Sequence, residues 1–212
     1  VDRRQRQMCI RDRYKGCKTF ILDDSDNEEY TKIIDDFASK YDVSVIRRDN
    51  NKGFKAGNIN NFLSKEKNYD YFVVLDADEI IPSNFVQESL KYFKKKDVGI
   101  VQAKNFCSRQ KNLFDYFGTY LHNIQWQVEY NVRNFVGLIN LCGHGAMISK
   151  ECYEKAKGFP EVILEDWALT FVSLKNEFLT VYANNILCEE EFPNNYIAFK
   201  KRQYSQTCLL YT

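Results

Sequence analysis

Residues 71–79 read YFVVLDADE, and this stretch decides the fold. Five aromatic, β-branched and aliphatic residues run unbroken from Tyr71 to Leu75. The run is too short for a helix and too uniformly apolar for a strand with one wet face, so it reads as a strand buried on both faces of a parallel sheet. Asp76, Asp78 and Glu79 follow at once, with Ala77 between the first two. In open α/β sheets ligands bind beyond the carboxyl ends of the strands, which places these acids at the mouth of a crevice. Carboxylates this close repel one another unless a cation or another positive group holds them. An oxygen-only donor set suits Mg²⁺ or Mn²⁺. An acidic turn after a buried strand has the same local pattern, so the neighbouring segments carry the decision.

Upstream, 19–22 reads as a short strand ending in Asp23-Asp24-Ser25, a second acidic strand end. Tyr30, Ile33, Ile34, Phe37 and Tyr41 have the three-and-four spacing of an amphipathic helix, capped by Asp26 or Asn27. A strand over 43–46 follows, then a polar, Gly-bearing segment, and Phe54-Lys55-Ala56-Gly57-Asn58 opens a helix to about residue 67. Beyond the acids, Pro82-Ser83 starts a helix through Lys96 with Phe85, Leu90 and Phe93 inward, and 98–103 is a strand. The alternation predicts an α/β fold with a mainly parallel, doubly wound sheet. Phe114, Phe117, Tyr120, Leu121, Ile124 and Val128 predict a helix packed over that sheet.

In the second half, Gly143 and Gly145 flank His144, where glycine permits positive φ and a close approach of backbone to a ligand. A helix over 150–157 leads through Gly158-Phe159-Pro160 to Glu165-Asp166-Trp167. Trp167, Leu169, Phe171, Val172 and Leu174 predict a buried helix, with the acid pair near its N-terminus held ionised by the helix dipole. Residues 178–183 and 186–188 read as two short strands. Residues 194–206 mix Tyr196, Ile197, Phe199 and Tyr204 with Lys200, Lys201 and Arg202, as in an amphipathic helix at a membrane surface or domain interface. Trp126 and Trp167 are expected in the core, and His122 in a structural role.

A chain of 212 residues supports one sizeable α/β core. Its net charge of +1 provides no global field to recruit nucleic acid. Residues 1–13 alone carry +3, so the remainder is −2 and whatever binds there is held by local groups. Seven cysteines without C-x-x-C spacing, beside only two histidines, read as reduced thiols in a cytosolic compartment, packing as small hydrophobes. No apolar run is long enough to cross a membrane. The opening VDRRQRQMCIRDR and the closing residues 205–212 look like translated sequencing-adaptor sequence, leaving 14–204 as the native domain. A disordered basic arm is the alternative for 1–13.

DDS at 23–25, KAGN at 55–58, DAD at 76–78, GHGAMISKE at 143–151, GFP at 158–160 and ED at 165–166 stand in one order. Together they resemble family 2 glycosyltransferases, most of all the cellulose-synthase-like, processive branch, over roughly residues 14–204. The resemblance implies a GT-A nucleotide-sugar-binding fold. It also implies Mg²⁺- or Mn²⁺-dependent, inverting transfer from a UDP-sugar donor to a growing glycan acceptor, forming a β-linkage. The parent protein would sit at the cytoplasmic face of the cell membrane, held by transmembrane segments outside this chain.

Carried over by the resemblance, Asp23 and Asp24 are donor-binding acids near uracil and ribose, and Lys55 is the lysine that contacts the nucleotide. Asp76 and Asp78 match the DxD motif that meets ribose and the metal-bound diphosphate, with Asp78 and Asp76 as metal ligands. Glu165 and Asp166 match the last two positions of a T-E-D motif whose Asp is the general base; Leu164 replaces the Thr. Gly143 and His144 fall on the acceptor side. Gln203 corresponds to the Gln of a Q-x-x-R-W motif, or in another register Tyr204 stands at its Trp.

Two departures accompany the likeness. The family's opening strand, with its P-x-Y/F-N-E pattern, is not found before Tyr14, and KKRQYSQT stands where Q-x-x-R-W belongs. The expectation is therefore a truncated fragment with the opening strand missing, whose own activity is left open. Two other readings remain: a nucleotide- or phosphate-binding module, or an inactive glycosyltransferase fragment without catalysis. A receiver-type phosphate module needs its lysine after the last strand-end acid, whereas Lys55 precedes Asp76.

Overall fold

The computed structural model describes residues 16–107 and 112–208, with side chains described as far as Arg202. The expected arm at 1–13, Tyr14, the side chains of Gln203 and Tyr204, and the end of the 205–212 tail lie outside the described residues. In chain order the elements are β1 (Phe20–Asp23), α1 (Glu28–Tyr41), β2 (Ser44–Arg47), α2 (Phe54–Lys65), β3 (Tyr71–Val74) and α3 (Phe85–Tyr92). They continue with β4 (Val98–Cys107), α4 (Leu113–Phe135), β5 (Ala146–Ser149), α5 (Lys150–Lys155), α6 (Glu165–Lys175), β6 (Leu179–Glu190) and α7 (Tyr196–Cys208).

The α/β class stands, but the sheet is mixed. Strands β1 and β2 pair in parallel as one small sheet, and β3-β5-β4-β6 form another. Within the larger sheet β4 and β6 are parallel, whereas β5 runs antiparallel between β3 and β4. The AMIS strand is only four residues long and sits directly after a Gly-His-Gly turn, so local pattern hides it. Its direction positions one wall of the cavity. Val74, at the carboxyl end of β3, and Gln102, midway along β4, both pair with Ala146 at the start of β5. The loop before β5 is thereby brought beside the acids that follow β3. The two strands expected over 178–183 and 186–188 are one strand, β6, whose register against β4 shifts at Ala103/Lys104.

Each face of the larger sheet carries a core. Val74, Ile100, Ala146 and Ile148 pack with Ile59 and Leu63 of α2, Cys152 of α5 and Leu169 of α6. Val101, Ala103 and Met147 pack with Phe85 of α3 and with Ala183, Ile186 and Cys188 of β6. Neighbours Ile100 and Val101 thus point into different cores, the both-face burial that a continuous apolar strand requires. The small sheet joins through α2, where the Phe20 ring meets Phe62 at 4.5 Å and Leu22 and Phe62 border the first core. Phe85 is fully buried. Phe85→Ala is expected to cost about 3–5 kcal/mol, the transfer term plus the cavity left behind, measured as a lowered urea midpoint at unchanged slope.

Several inward assignments are corrected. Leu90 is exposed. Helix α4 packs through Asp115, Thr119 and Trp126, so Phe117, Tyr120, Leu121, Ile124 and Val128 lie on its outer face. In α6 only Leu169 of the apolar set is fully buried, while Trp167, Phe171 and Leu174 are exposed. Helical periodicity identified both helices, but each has apolar residues on more than one side, and periodicity alone does not say which side faces the sheet. Trp126 is core as expected. Cys107, Cys152 and Cys188 are buried thiols, and Cys17 is exposed.

Candidate active site

The turn after β3 is built before any ligand arrives. The Glu79 amide donates to the Asp76 carbonyl, and the Asp76 amide donates to Glu79 Oε2 at 3.3 Å. Reciprocal backbone bonds of 2.8 Å between Ile80 and Glu189 tie this turn to the end of β6. Glu79 is buried, so it organises the turn while Asp78 is exposed at its edge. Lys55, on the first turn of α2, forms an ion pair with Asp76. That first turn can close because Gly57 has no side chain; a Cβ there would lie 2.1 Å from the Lys52 carbonyl oxygen.

Asp23 and Asp24 are held by arginines of the β2 end. Asp23 accepts from Arg47 Nε at 2.8 Å and from the Ser25 amide. Burial alone would raise its pKa, but the Ser25 bonds and Arg47 bring it below the usual carboxylate range. Asp24 takes both arms of Arg48, at 2.8 and 2.6 Å. Arg48 in turn donates to the carbonyls of Lys52 and Phe54, fixing the loop that presents Lys55.

The opposite wall comes from the loop before β5 and the start of α6. Gln102, fully buried, accepts from the Cys142 amide at 2.8 Å and donates to the His144 carbonyl at 3.0 Å. Gly143 and Gly145 have positive φ, as their sequence setting predicts, and a Cβ on Gly145 would meet Glu79 Oε1 at 2.4 Å. His144 lies between two carboxylates, Nδ1 3.4 Å from Glu79 and Nε2 3.7 Å from Glu190, with Asn105 Nδ2 at 3.1 Å. Burial works against its imidazolium, but hydrogen bonding and charge from Glu79, with Glu190 and Asp76 behind, raise its pKa.

Asp166 sits against Gly143, whose Cβ position is 3.6 Å from Asp166 Oδ2, and accepts from the Trp167 amide at 2.8 Å. Asn60 of α2 orients the approach to α6. It donates to the Phe159 carbonyl and accepts from the Phe159 amide and the Tyr153 hydroxyl. The helix terminus is not the largest influence on this acid pair. Burial pushes the carboxyls of both Asp166 and Glu165 above their ordinary range, with backbone N–H groups and the charge of Lys55 opposing.

These walls enclose a cavity of about 620 Å³ lined by Lys55, Asp76, Asp78, Gly143, His144, Glu165 and Asp166 among others. Asp23 and Asp24 are not part of its lining. The remaining wall was not singled out in the sequence: Asp115 of α4, Glu190 and Glu191 after β6, and Arg202 of α7. The run Glu189-Glu190-Glu191 closes a strand as Asp76 and Asp78 do, and the strand-end rule applied there as well would have found it. In all, seven acidic side chains line the cavity against Lys55, Arg202 and His144. Glu190 is held by His122 Nε2 at 2.7 Å and approached by Arg202 at 4.0 Å. Burial would raise its pKa, but His122, His144 and Arg202 together lower it.

Comparison with known proteins gives three kinds of likeness. The sequence model described as Glycosyl transferase family 2 matches residues 5–156. A 90-residue stretch is 34% identical to a cellulose synthase catalytic subunit (UDP-forming) of Pseudomonas fluorescens, covering 42% of this chain and 12% of that protein. Among solved structures, a Pyrobaculum calidifontis mannosyltransferase in complex with GDP-Man and Mn²⁺ superposes with TM-score 0.64 at 17% identity, over 88% of this chain and 51% of that one. GalNAc-T7 with UDP, GalNAc and Mn²⁺ gives 0.61 at 10% identity, over 82% and 38%. S. aureus TarS with UDP-GlcNAc gives 0.55 at 12% identity, over 83% and 50%. At such identities the structural likeness establishes a shared GT-A-like fold. The chain spans about half or less of the length of these proteins.

Proposed function

The chain belongs to glycosyl transferase family 2, and on that premise we propose that it transfers a sugar from a UDP-sugar to a glycan hydroxyl with inversion. One observation carries the reading: the cavity that holds Asp76 and Asp78 on one side and Asp166 on the other is lined by seven acids. A nucleoside diphosphate entering it alone meets like charge, so the site suits an anionic donor accompanied by a divalent cation. Asp78 and Asp76, oxygen donors at the cavity edge, fit Mg²⁺ or Mn²⁺ and are the residues that would hold it. When bound, that ion neutralises charge building on the departing diphosphate.

The chain's own groups do the rest. Lys55, steered by the Asp24–Arg48 pair, offers a cation to the nucleotide, and Asp23 with Arg47 fixes the strand end behind it. Asp166 accepts the proton of the acceptor hydroxyl as that oxygen attacks, since an alcohol is a poor nucleophile without a base in reach. A single displacement inverts the anomeric centre, giving a β-linkage from an α-linked donor. Gly143 and His144 form the acceptor side, with Gln203 or Tyr204 of α7 completing it. The local likeness to a UDP-forming cellulose synthase supports a polysaccharide acceptor and a parent protein at the cytoplasmic face of the membrane.

The test is nucleoside diphosphate release from a panel of UDP- and GDP-sugars, with Mn²⁺ and with chelator. UDP release that stops on chelation is expected; release from GDP-sugars alone would reassign the donor. The pH dependence adds a second check. Because the ionised carboxylate is the base and burial raises the Asp166 pKa, activity should fall as pH drops through that raised value. The acid limb of kcat/KM is thus expected above the ~3.9 of an ordinary aspartate. A limb at or below that value contradicts the assignment.

A further inference from the structure

Where the parallel strands β4 and β6 end, three side chains of metal-ligating type converge. Cys107 and Glu190 are the last register partners of the β4–β6 ladder, and partners on neighbouring strands project to the same face of a sheet. Helix α4 packs on both strands. Its Asn123 clamps the Cys107 peptide in both directions, accepting from the amide and donating to the carbonyl at 2.9 Å each. That clamp holds the preceding residue, His122, at the strand ends. His122 Nε2 lies 2.7 Å from Glu190 Oε1, and Cys107 Sγ lies 3.9 Å from the same oxygen. One ligand atom from each of the three falls within 4.8 Å of the other two. Cys107 and Glu190 are buried, and the His122 side chain is 14% exposed. His122 Nε2 is itself buried, and its approach to Glu190, though close, lacks the alignment of a hydrogen bond. The three residues stand far apart in the chain, so no spacing motif announces them.

We propose that Cys107, His122 and Glu190 form a zinc site, separate in chemistry from the Asp76–Asp78 pair. Thiolate and imidazole donors select a borderline-soft ion such as Zn²⁺, whereas the all-oxygen aspartates suit Mg²⁺ or Mn²⁺. Zn–S of ~2.3 Å with Zn–N and Zn–O of ~2.0–2.2 Å around a tetrahedron put ligand atoms about 3.3–3.6 Å apart. The observed 2.7 and 3.9 Å fall on either side of that range, so side-chain shifts of roughly half an ångström seat the ion. Three protein ligands leave the fourth position to a water. His122 and Glu190 also line a smaller cavity of about 330 Å³, from which that water can come. Trp126 and Phe192 flank the His122 ring, with centroids 6.2 and 6.5 Å away, and give the ion an apolar wall. Binding forms a Zn–S bond and breaks the Cys107 S–H bond, the proton leaving to solvent. Burial pushes that thiol up to about 12, so the ion itself must displace the proton, as metals do from coordinating thiols. Thiolate and carboxylate then match the two charges of Zn²⁺, and Arg202, 4.0 Å from Glu190 and partly exposed, can turn outward. An ion there would pin the ends of β4 and β6 to α4 and withdraw Glu190 from the acids lining the larger cavity.

The experiment is titration of the full chain, dialysed against chelator and then held in excess Mg²⁺, with Co²⁺ as an optical stand-in for Zn²⁺. A saturable thiolate-to-cobalt charge-transfer band is expected, and Zn²⁺ should abolish it where Mg²⁺ does not. Cys107→Ser should remove the band. His122→Gln should weaken Co²⁺ binding at least ~10-fold, the lower end for metal sites that lose even an indirect partner. Cys17→Ser, at an exposed thiol, should leave the band intact. Circular dichroism checks the folding of each variant; if the buried Cys107→Ser fails to fold, the partly exposed His122→Gln decides alone. No charge-transfer band, or wild-type Co²⁺ affinity in His122→Gln, overturns the proposal. A band retained in folded Cys107→Ser assigns the metal to another thiol and overturns it as well. No nucleotide or sugar enters the experiment, so its failure leaves the glycosyltransferase reading untouched.

Discussion

Asp166→Asn is expected to lower the transfer rate by about 10²–10⁴-fold, the usual cost of losing a positioned base, while nucleotide affinity stays unchanged. The carboxyl lies at the first turn of α6, against Gly143 of the loop before β5. Asparagine keeps its shape and can still accept from the Trp167 amide through its carbonyl oxygen. What it loses is the capacity to take a proton. The donor is assigned to residues across the cavity, so its binding should not register the change. Rate and affinity measured on one preparation decide the matter. A variant with near-normal turnover moves the base to Glu165, the other carboxyl at that helix end whose pKa burial raises.

Asp78→Asn should act on binding first. An amide in place of one carboxylate removes a charged metal ligand, and even indirect partners of metal sites typically change affinity ~10–100-fold. Losing a direct ligand is expected to cost at least that, seen as weaker Mn²⁺ and weaker Mn²⁺-dependent nucleotide binding, with activity falling in step. Asp76 is a less clean choice for substitution because it also pairs with Lys55, so its loss would disturb two walls together. Wild-type Mn²⁺ affinity in Asp78→Asn would remove that residue from the metal site.

The sequence made the strand-end acids legible because buried strands and the residues just after them are local signals. YFVVLDADE gave both the strand and its crevice, and the Gly-His-Gly turn foretold the two positive φ values. Strand direction was not legible. Nothing within AMIS states that it will lie antiparallel between β3 and β4, yet that placement sets Gly143 and His144 opposite Asp76. Burial of charge was not legible either. A helix N-terminus points to an easily ionised Asp166, but burial in the folded chain, with Gly143 from more than twenty positions earlier beside the carboxyl, outweighs the helix-end N–H groups. Helix α4 shows the same limit in apolar terms. Its periodicity is helical, but the apolar pattern of the exposed face looks like that of a core face, because only the fold decides which of two apolar sides has a partner. Arg48 is the reverse case: an unremarked arginine holds Asp24 and the Lys55 loop together, a link across 24 residues with no sequence signature.

The acid-lined cavity is expected to bind a nucleoside diphosphate only together with a divalent cation. Calorimetric titration of UDP into the protein, once with Mn²⁺ and once with chelator, tests it most directly. Saturable binding with Mn²⁺ and none with chelator is the expected result; equal affinity in the two titrations would contradict it.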